Sequence, residues 1–392
     1  MAIGATGTAS RGIDFFCAIA GPQRDLERAR HLLCDSLDFS AILDFASEHC
    51  LGPQLLAALS DLGWQGVPAE SKVKLEAFRQ RHVFRTLHLA EELCRIATIF
   101  SERGITFAAF KGAALAVDLY GDPARRDYSD IDVIVPSAQV PAAEMALESL
   151  GYHNDQGDRA FRRMFCAYQG QYSFVHADRG VAVDLHWAFT AASLPFPVRT
   201  DQIWSSLRSV TVGACAIPTF SDPDVALLLA GHGTKEGWRS LGWICDFAAF
   251  AHARPALDWP GLHQRAGRQG SGDAVLLAFA LSNMLLGVAI PAGLADKLAG
   301  NKRVSRLAAE IIDGLRGAKR GRSHMMDLAL CDRLWDRIKA AARLMLTPTP
   351  GDYQALPLPQ ASWPLYYALR PLRLAARGLA LLRGDRQPMI RQ

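Results

Sequence analysis

Residues 105–135 read ITFAAFKGAALAVDLYGDPARRDYSDIDVIV, and four elements follow one another in this stretch. The apolar run at 105–110 predicts a short strand, and Leu115 and Leu119, four residues apart, predict a helix over 111–120. The polar loop GDPARRDYS comes next, and the alternating DIDVIV predicts a second strand. The order strand, helix, loop and strand indicates a domain that mixes α and β structure.

The second predicted strand begins with two carboxylates. Residues two apart on a strand point to the same face, so Asp130 and Asp132 face one way while Ile131, Val133 and Val135 face the core. Two carboxylates at this spacing can share divalent cations in a phosphoryl-transfer site. A solvated strand end gives the same pattern, and the motif alone leaves these two interpretations equally weighted.

A third carboxylate lies on another alternating segment, VAVDLHW at 181–187. Here Asp184 and His186 share the face opposite Val183 and Leu185. A strand next to the first one would direct Asp184 at the aspartate pair, and two metal ions with an attacking hydroxyl call for three carboxylates. For His186, a structural or supporting role is the more frequent one for a histidine in such a place.

The junction between the first strand and the helix is a candidate phosphate site. Gly112 lies where backbone N–H groups and the helix dipole would hold a phosphate, and Lys111 adds a positive charge. Arg125 and Arg126, in the loop before the aspartates, are further candidates for neutralising phosphates. A solvated loop explains Arg125 nearly as well and Arg126 less well. The P-loop motif is absent, which disfavours a P-loop ATPase.

Composition places the chain among folded globular proteins. Its 392 residues are 50% hydrophobic and 21% charged, which fits neither a disordered nor a fibrous chain. The net charge of +4 is too small to indicate nucleic-acid binding by bulk electrostatics. The eight cysteines form no CxxC pair, so we expect reduced thiols rather than zinc ligands or disulfides. With no long apolar run and no leader-like segment, a cytoplasmic location is expected.

Three regions are predicted along the chain. Helical periodicity dominates 1–104, a mixed core occupies 105–220, and helices return over 221–392. Within the core, the segment at 172–187 predicts a hairpin around a turn at 178–180, and further β structure follows at about residue 210.

The last part of the chain combines a proline-rich stretch with a basic, leucine-rich one. The string TPTPGDYQALPLPQ predicts a loop, and residues 365–382 predict a final helix. With its arginines, the segment 365–383 could lie on an anionic membrane surface. Packing on its own domain is the more frequent role of such a helix.

Three strings together resemble a known family. They are FKGAALAVDLYGDPARRDYSDIDVIV, VDLHW and GHGTKEGWRSLGWICDFAAF, at 110–135, 183–187 and 231–250. Their lysine-glycine step, their SDID and DLHW motifs and a later helical histidine and lysine resemble the uncharacterised bacterial nucleotidyltransferase family of the polymerase-β-like superfamily. The resemblance covers most of residues 75–270.

The resemblance implies an α+β fold, with a polymerase-β-like nucleotidyltransferase core of mixed sheet and helices between N- and C-terminal helical regions. Asp130, Asp132 and Asp184 would be the catalytic carboxylates that hold Mg²⁺, with two ions expected and Mn²⁺ as the alternative. Gly112 would lie at the donor triphosphate. The wider superfamily has a glycine-serine step where this chain has Gly112 and Ala113, and Lys111 would replace the missing hydroxyl contact.

The same resemblance implies roles for two residues further along the chain. His232 and Lys235 lie three apart on a predicted helix and would contact the nucleotide or the acceptor. A capping or inter-domain contact is an equally weighted role for them. Asp246 is expected to be structural.

The implied reaction moves a nucleoside monophosphate from a nucleoside triphosphate such as ATP to an acceptor hydroxyl or phosphate, and releases pyrophosphate. The acceptor could be a peptide, a sugar, a small metabolite or an RNA end. Three alternatives stay open: a catalytically silent nucleotide-binding or scaffold protein, a phosphotransferase that moves the γ-phosphate, and a helical interaction protein without a ligand.

Overall fold

The computed structural model describes residues 3–34, 38–154, 170–190, 196–317 and 334–382. The chain begins with the helices α1 (Ile3–Ala20), α2 (Leu26–Cys34), α3 (Phe39–Glu48), α4 (Gly52–Asp61) and α5 (Ala69–Glu102). Asp38 begins α3 by accepting hydrogen bonds from the backbone N–H groups of Ser40 and Ala41. A proline in its first turn, Pro53, begins α4.

A four-stranded sheet follows these helices. Its strands are β1 (Ala108–Ala109), β2 (Ile131–Ile134), β3 (Gln171–His176) and β4 (Val181–His186), in the spatial order β1, β2, β4, β3. The central pair, β2 and β4, is parallel, and both outer pairs are antiparallel. Helix α6 (Gly112–Tyr120) connects β1 to β2, and α7 (Val140–Ser149) follows β2.

A two-stranded hairpin, β5 (Arg208–Val212) and β6 (Cys215–Thr219), precedes a second set of helices. These are α8 (Asp222–Lys235), α9 (Leu241–Ala253), α10 (Trp259–Arg268), α11 (Gly272–Leu286), α12 (Ala292–Gly300) and α13 (Lys302–Arg316). The chain continues with α14 (Leu334–Leu346), α15 (Pro350–Ala355) and α16 (Tyr366–Leu382). Ser240 caps α9 through the Gly242 N–H group.

Buried apolar side chains form two cores. The larger core joins α1–α4 to α8–α13, with Phe16 and Phe247 among its members. The other core lies between the sheet, α7 and the second half of α5, with Phe100, Val133 and Val183 among its members. Helices α1–α4 and α8–α13 therefore share one core, and the sheet packs on α5, with Tyr366 of α16 in the same core as the sheet.

The structure confirms the predicted fold class, a mixed sheet flanked by helices. Ile131, Val133 and Val135 are buried in the sheet core, as the alternation predicts. The predicted hairpin is β3 and β4, and the β structure near residue 210 is the β5–β6 hairpin. The first predicted strand is shorter than expected, because only two of its residues pair with β2.

The proline-rich stretch differs from the prediction, because it contains helix α15 rather than only a loop. Thr349 and Asp352 form a capping box at its first turn, with Pro350 at the first helical position. Asp352 is also paired with Arg370 and Arg373 of α16. Pro350 therefore starts a helix, whereas the proline-rich composition predicts a loop.

Within the described ranges, no helix is long and apolar enough to cross a bilayer.

Candidate active site

The two aspartate-bearing strands lie side by side. β2 and β4 are parallel neighbours, and the register sets Asp132 directly opposite Asp184, with His186 two residues further along β4. Ile131 and Val183, which are also paired, are buried in the sheet core. The alternation along each strand therefore turns the carboxylates away from that core toward a common space.

Asp132 is the most enclosed of the three predicted carboxylates. Its Oδ1 accepts hydrogen bonds from the Lys111 ammonium at 3.2 Å and from His186 Nε2 at 2.9 Å. Burial by itself raises the pKa of Asp132, but the charge of Lys111 and the His186 hydrogen bond hold that pKa well below its ordinary value. Because an ionised carboxylate only accepts hydrogen bonds, His186 carries its proton on Nε2.

Strand β3 holds Asp184 in place. Ser173 lies opposite Asp184 in the antiparallel register, and its hydroxyl donates to Oδ1 at 2.5 Å. The Gln171 side-chain amide donates to Oδ2 at 2.7 Å. Both oxygens of Asp184 thus have a donor, which fixes the orientation of the carboxylate.

Asp130 directly precedes β2 and is half-buried. Burial, together with the like charges of Asp132 and Asp184, raises the pKa of Asp130 to about 6. The three predicted carboxylates therefore share one region of space. A divalent cation among them would relieve their repulsion.

Asp132, Asp184 and His186 offer one ligand atom each, and these atoms lie within 4.8 Å of one another. Carboxylate oxygens suit Mg²⁺ and Mn²⁺, and the crowded negative charge at Asp130 fits such an ion. His186 thus lies beside both carboxylates and orients Asp132 through its hydrogen bond. The signal in the sequence was its position two residues after Asp184, on the same face of the strand.

Gly112 begins α6 with a φ of 53°, a conformation that L side chains rarely adopt. A Cβ atom at this position would lie 3.2 Å from the Asp130 carbonyl oxygen and 3.7 Å from the Tyr128 ring. No side chain caps the first turn of α6, where Lys111 is the N-cap residue. The first-turn N–H groups, next to the carboxylates, form a setting that suits a phosphate.

A narrow cleft lies between α6 on one side and α8 and α9 on the other. Its wall combines polar and apolar side chains: Lys111, Leu115, Arg126, Leu228, Leu229, His232, Trp243 and Asp246. Lys111 also contacts Asp132, so the cleft adjoins the carboxylates.

Arg126 lines this cleft with its charge already balanced. Its Nε donates to Asp246 Oδ2 at 2.9 Å, and the Tyr120 hydroxyl donates to Asp246 Oδ1 at 2.9 Å. The side chains of Arg126 and Asp246 are 11% and 7% exposed. This buried pair connects the loop before β2 to α9.

His232 faces the cleft from α8. Its ring meets the Trp243 ring edge-on, with 5.4 Å between the ring centres. Burial, with the positive charges of Lys111 and Lys235, holds the pKa of His232 well below its ordinary value. His232 therefore offers a neutral imidazole to a ligand.

Two of the predicted nucleotide-binding residues lie outside the wall of the cleft. Arg125 is exposed, and its backbone carbonyl accepts a hydrogen bond from the Gln54 amide at 3.3 Å. The Lys235 ammonium donates to the Phe189 carbonyl at 3.4 Å. The structure thus brings together Asp130, Asp132, Asp184, Lys111, Gly112, Arg126 and His232, and places Arg125 and Lys235 at the periphery.

Comparison with known proteins agrees with this geometry. A family model described as an uncharacterised nucleotidyltransferase matches residues 35–287, which is more than half of the chain. That range contains both sheets, the carboxylates and the whole wall of the cleft. Among curated proteins, none matches the chain. With its paired carboxylates beside the start of α6, this chain belongs to the uncharacterised nucleotidyltransferase family and is a transferase enzyme.

Proposed function

We propose that the protein transfers a nucleoside monophosphate from a nucleoside triphosphate to an acceptor hydroxyl or phosphate, and releases pyrophosphate. One observation carries the proposal, the pairing of Asp132 with Asp184 across parallel strands next to the uncapped first turn of α6. Attack on an α-phosphate needs cation ligands and phosphate-binding groups in one place, and this arrangement offers both.

Each carboxylate has a proposed role. Asp130 and Asp132 would hold the cation that carries the triphosphate, and Asp184, fixed by Ser173 and Gln171, would lie at the attacking group. Mg²⁺, as two ions with Mn²⁺ as the alternative, would neutralise the phosphate charge and acidify the acceptor hydroxyl.

Lys111 and Gly112 would receive the triphosphate. The Lys111 ammonium is paired with Asp132, and a cation bound to that carboxylate would release the ammonium toward a phosphate. The backbone at Gly112 can approach a phosphate closely, because no Cβ atom is in the way. Arg126 and, further out, Arg125 and Lys235 would add positive charge around the phosphates.

The cleft beside Lys111 would take the nucleoside of the donor. Trp243 and His232 offer aromatic rings, and Leu115, Leu228 and Leu229 offer an apolar wall. The chemistry of this wall matches a flat, partly apolar base attached to an anionic tail, with the tail at Lys111, and the cleft would have to widen to admit the base. Adenine is the base we would try first. For the acceptor, we propose only the reacting group, which a peptide, a sugar, a small metabolite or an RNA end could supply.

The first experiment measures thermal unfolding of the wild type and of the Asp130→Asn/Asp132→Asn variant with each ribonucleoside triphosphate, with and without Mg²⁺. A triphosphate at about 100 times its Kd adds roughly 2.7 kcal/mol of stability, which is a shift of a few degrees. We expect a shift that needs Mg²⁺ and disappears in the variant. Asp201→Asn, which changes an exposed carboxylate paired with Arg199, should keep the wild-type shift.

The second experiment distinguishes the two transfer reactions. With a donor labelled at the α-phosphate, nucleotidyl transfer attaches the label to the acceptor and releases pyrophosphate. Transfer of the γ-phosphate leaves a labelled nucleoside diphosphate instead. A folded wild type that shows no Mg²⁺-dependent shift with any triphosphate would contradict the proposal and favour a scaffold role.

A further inference from the structure

Exposed apolar side chains are concentrated near the C-terminal end of the described chain. Of the fifteen large apolar side chains that are strongly exposed among the described residues, ten lie between Leu334 and Leu374. Monomeric proteins seldom leave such a group uncovered without a binding role. We refer to α14 and α16, which pack on each other, as the C-terminal helical pair.

Helix α14 has its larger apolar residues on the outside. Leu334, Ile338 and Met345 follow one another at intervals of four and seven, so they form one stripe, and they are 72%, 49% and 55% exposed. Trp335, adjoining this stripe, is 62% exposed. The side toward the protein is represented by Ala340, which is 2% exposed. A helix that packed only on its own domain would have this apolar stripe toward the protein.

Helix α16 extends the apolar surface. Tyr366, 1% exposed, fixes its first turn against the protein, whereas Leu372 is 68% exposed. The Arg370 guanidinium donates to the Leu344 carbonyl at 3.1 and 3.0 Å, and this contact joins the two helices. The two helices are thus held together, and each carries exposed apolar side chains.

Positive charge borders that surface. Residues 334–382 contain six arginines and lysines and two aspartates. Lys339 and Arg343 are exposed, four residues apart along the edge of the apolar stripe, and the Lys339 ammonium lies 5.7 Å from the centre of the Trp335 ring. Asp352 is buried in ion pairs with Arg370 and Arg373, so it does not offset the charge at the surface.

We propose that the C-terminal helical pair binds the surface of an anionic lipid bilayer. Leucine, isoleucine, methionine and tryptophan would enter the boundary between headgroups and acyl chains, and Lys339 and Arg343 would meet the lipid phosphates. A second copy of the chain fits less well, because a symmetric contact through this surface would bring like charges together. The proposed contact is with the bilayer surface, and no described helix is both long and apolar enough to cross a bilayer.

The helix predicted at 365–382 is the α16 half of this surface, and residue 383 lies outside the described residues. Helix α14, which the sequence did not single out, contributes the more apolar half. The inference does not depend on the nucleotidyl-transfer reaction, because its test measures lipid binding.

The test is co-sedimentation of the full chain with phosphatidylcholine vesicles, with and without phosphatidylglycerol. We expect binding to the vesicles that contain phosphatidylglycerol, at least tenfold weaker binding to those without it, and loss of binding as salt rises. Trp335→Ala/Ile338→Ala and Lys339→Gln/Arg343→Gln should each weaken binding about tenfold or more.

The matched control is Phe84→Ala/Leu87→Ala, which removes two strongly exposed apolar side chains from α5. This variant should bind vesicles like the wild type, and circular dichroism should show that all three variants are folded. Equal binding to both kinds of vesicle, no binding at all, or an equal loss in the α5 variant would overturn the proposal. A concentration-dependent dimer that Trp335→Ala/Ile338→Ala abolishes, without lipid binding by the wild type, would assign the surface to a second copy.

Discussion

Gly112 illustrates how one residue can limit what the site tolerates. Its φ of 53° is a conformation that L side chains rarely adopt, and a Cβ atom there would lie only 3.2 Å from the Asp130 carbonyl oxygen. We predict that Gly112→Ala costs roughly 1–3 kcal/mol of stability and also weakens triphosphate binding, because the backbone beside the phosphate must move. Urea unfolding and a Mg²⁺-triphosphate thermal shift measure the two effects.

Gly121 is the matched control at the other end of α6. Its φ is 72°, and a Cβ atom there would have nothing within 4 Å. Gly121→Ala should therefore lose stability from backbone strain alone and keep the triphosphate shift. Equal loss of the shift in both variants would show that α6 responds as a whole and that Gly112 has no special contact.

His186 is the residue that connects the two paired carboxylates. It donates to Asp132 and belongs to the compact group with Asp184. We predict that His186→Ala lowers the affinity for Mg²⁺ or Mn²⁺ by roughly 10–100-fold, because Asp132 loses the partner that orients it. Calorimetric titration with each ion measures this. His186→Gln, which keeps an N–H donor, should lose less, and equal losses in the two variants would contradict an orienting role.

At the scale of elements, the Arg126–Asp246 pair connects the loop before β2 to α9. Both side chains are largely buried, so removing one charge leaves the other without its partner. Asp246→Asn should cost roughly 3–5 kcal/mol, because it leaves the buried Arg126 charge without its partner. Urea unfolding of Asp246→Asn, Arg126→Met and the double variant forms a cycle that measures the coupling. Simple additivity of the two losses would contradict a direct contribution of the pair.

Much of the sheet was predictable because each strand has its own local pattern. The alternation around Asp132 and Asp184 gave both strands and the faces of both carboxylates. We could predict that the two strands are neighbours but not that they are parallel, since period-two alternation contains no information about direction or partner. The resemblance to a family, rather than the strand pattern, related the carboxylates to a triphosphate.

Other features depend on contacts that no local pattern describes. The pairing of Arg126 with Asp246 joins residues 120 positions apart, so no local pattern predicts it. The exposure of the apolar stripe on α14 could not be predicted either, because periodicity identifies an apolar stripe but not whether the stripe faces inward. In the proline-rich stretch, helix α15 is held by ion pairs between Asp352 and two arginines of α16, which are distant from it in sequence.

At the scale of the whole molecule, His49 fastens the N-terminal helices to α9. His49 is fully buried, its Nδ1 accepts from the Leu241 N–H group at 3.0 Å, and its carbonyl accepts from the Ser240 hydroxyl at 2.9 Å. Burial disfavours the charged ring and lowers the pKa of His49 from 6.5 to about 4. Between pH 6.5 and about 4, His49 is therefore protonated in the unfolded chain but neutral in the folded protein.

The sign of the pH effect follows from this difference. The contribution of neutral His49 is fully present above pH 6.5 and is lost as pH falls toward about 4, by roughly 3 kcal/mol. His49→Gln keeps an acceptor for the Leu241 N–H group and cannot titrate. We predict that the wild type loses about 3 kcal/mol more than His49→Gln between neutral pH and pH about 4, measured by urea unfolding. Parallel pH profiles would contradict this assignment.

The larger core has a consequence for biosynthesis. Helices α1–α4 bury their apolar faces against α8–α13, which begin only at Asp222. At ordinary translation speeds, roughly 10–30 s pass between release of α4 and release of α8 from the ribosome. During that interval α1–α4 can contact one another and α5, but the apolar faces that α8–α13 cover stay exposed, so these helices are a natural substrate for chaperones that act on growing chains. The sheet, in contrast, has α5 available as soon as its strands emerge.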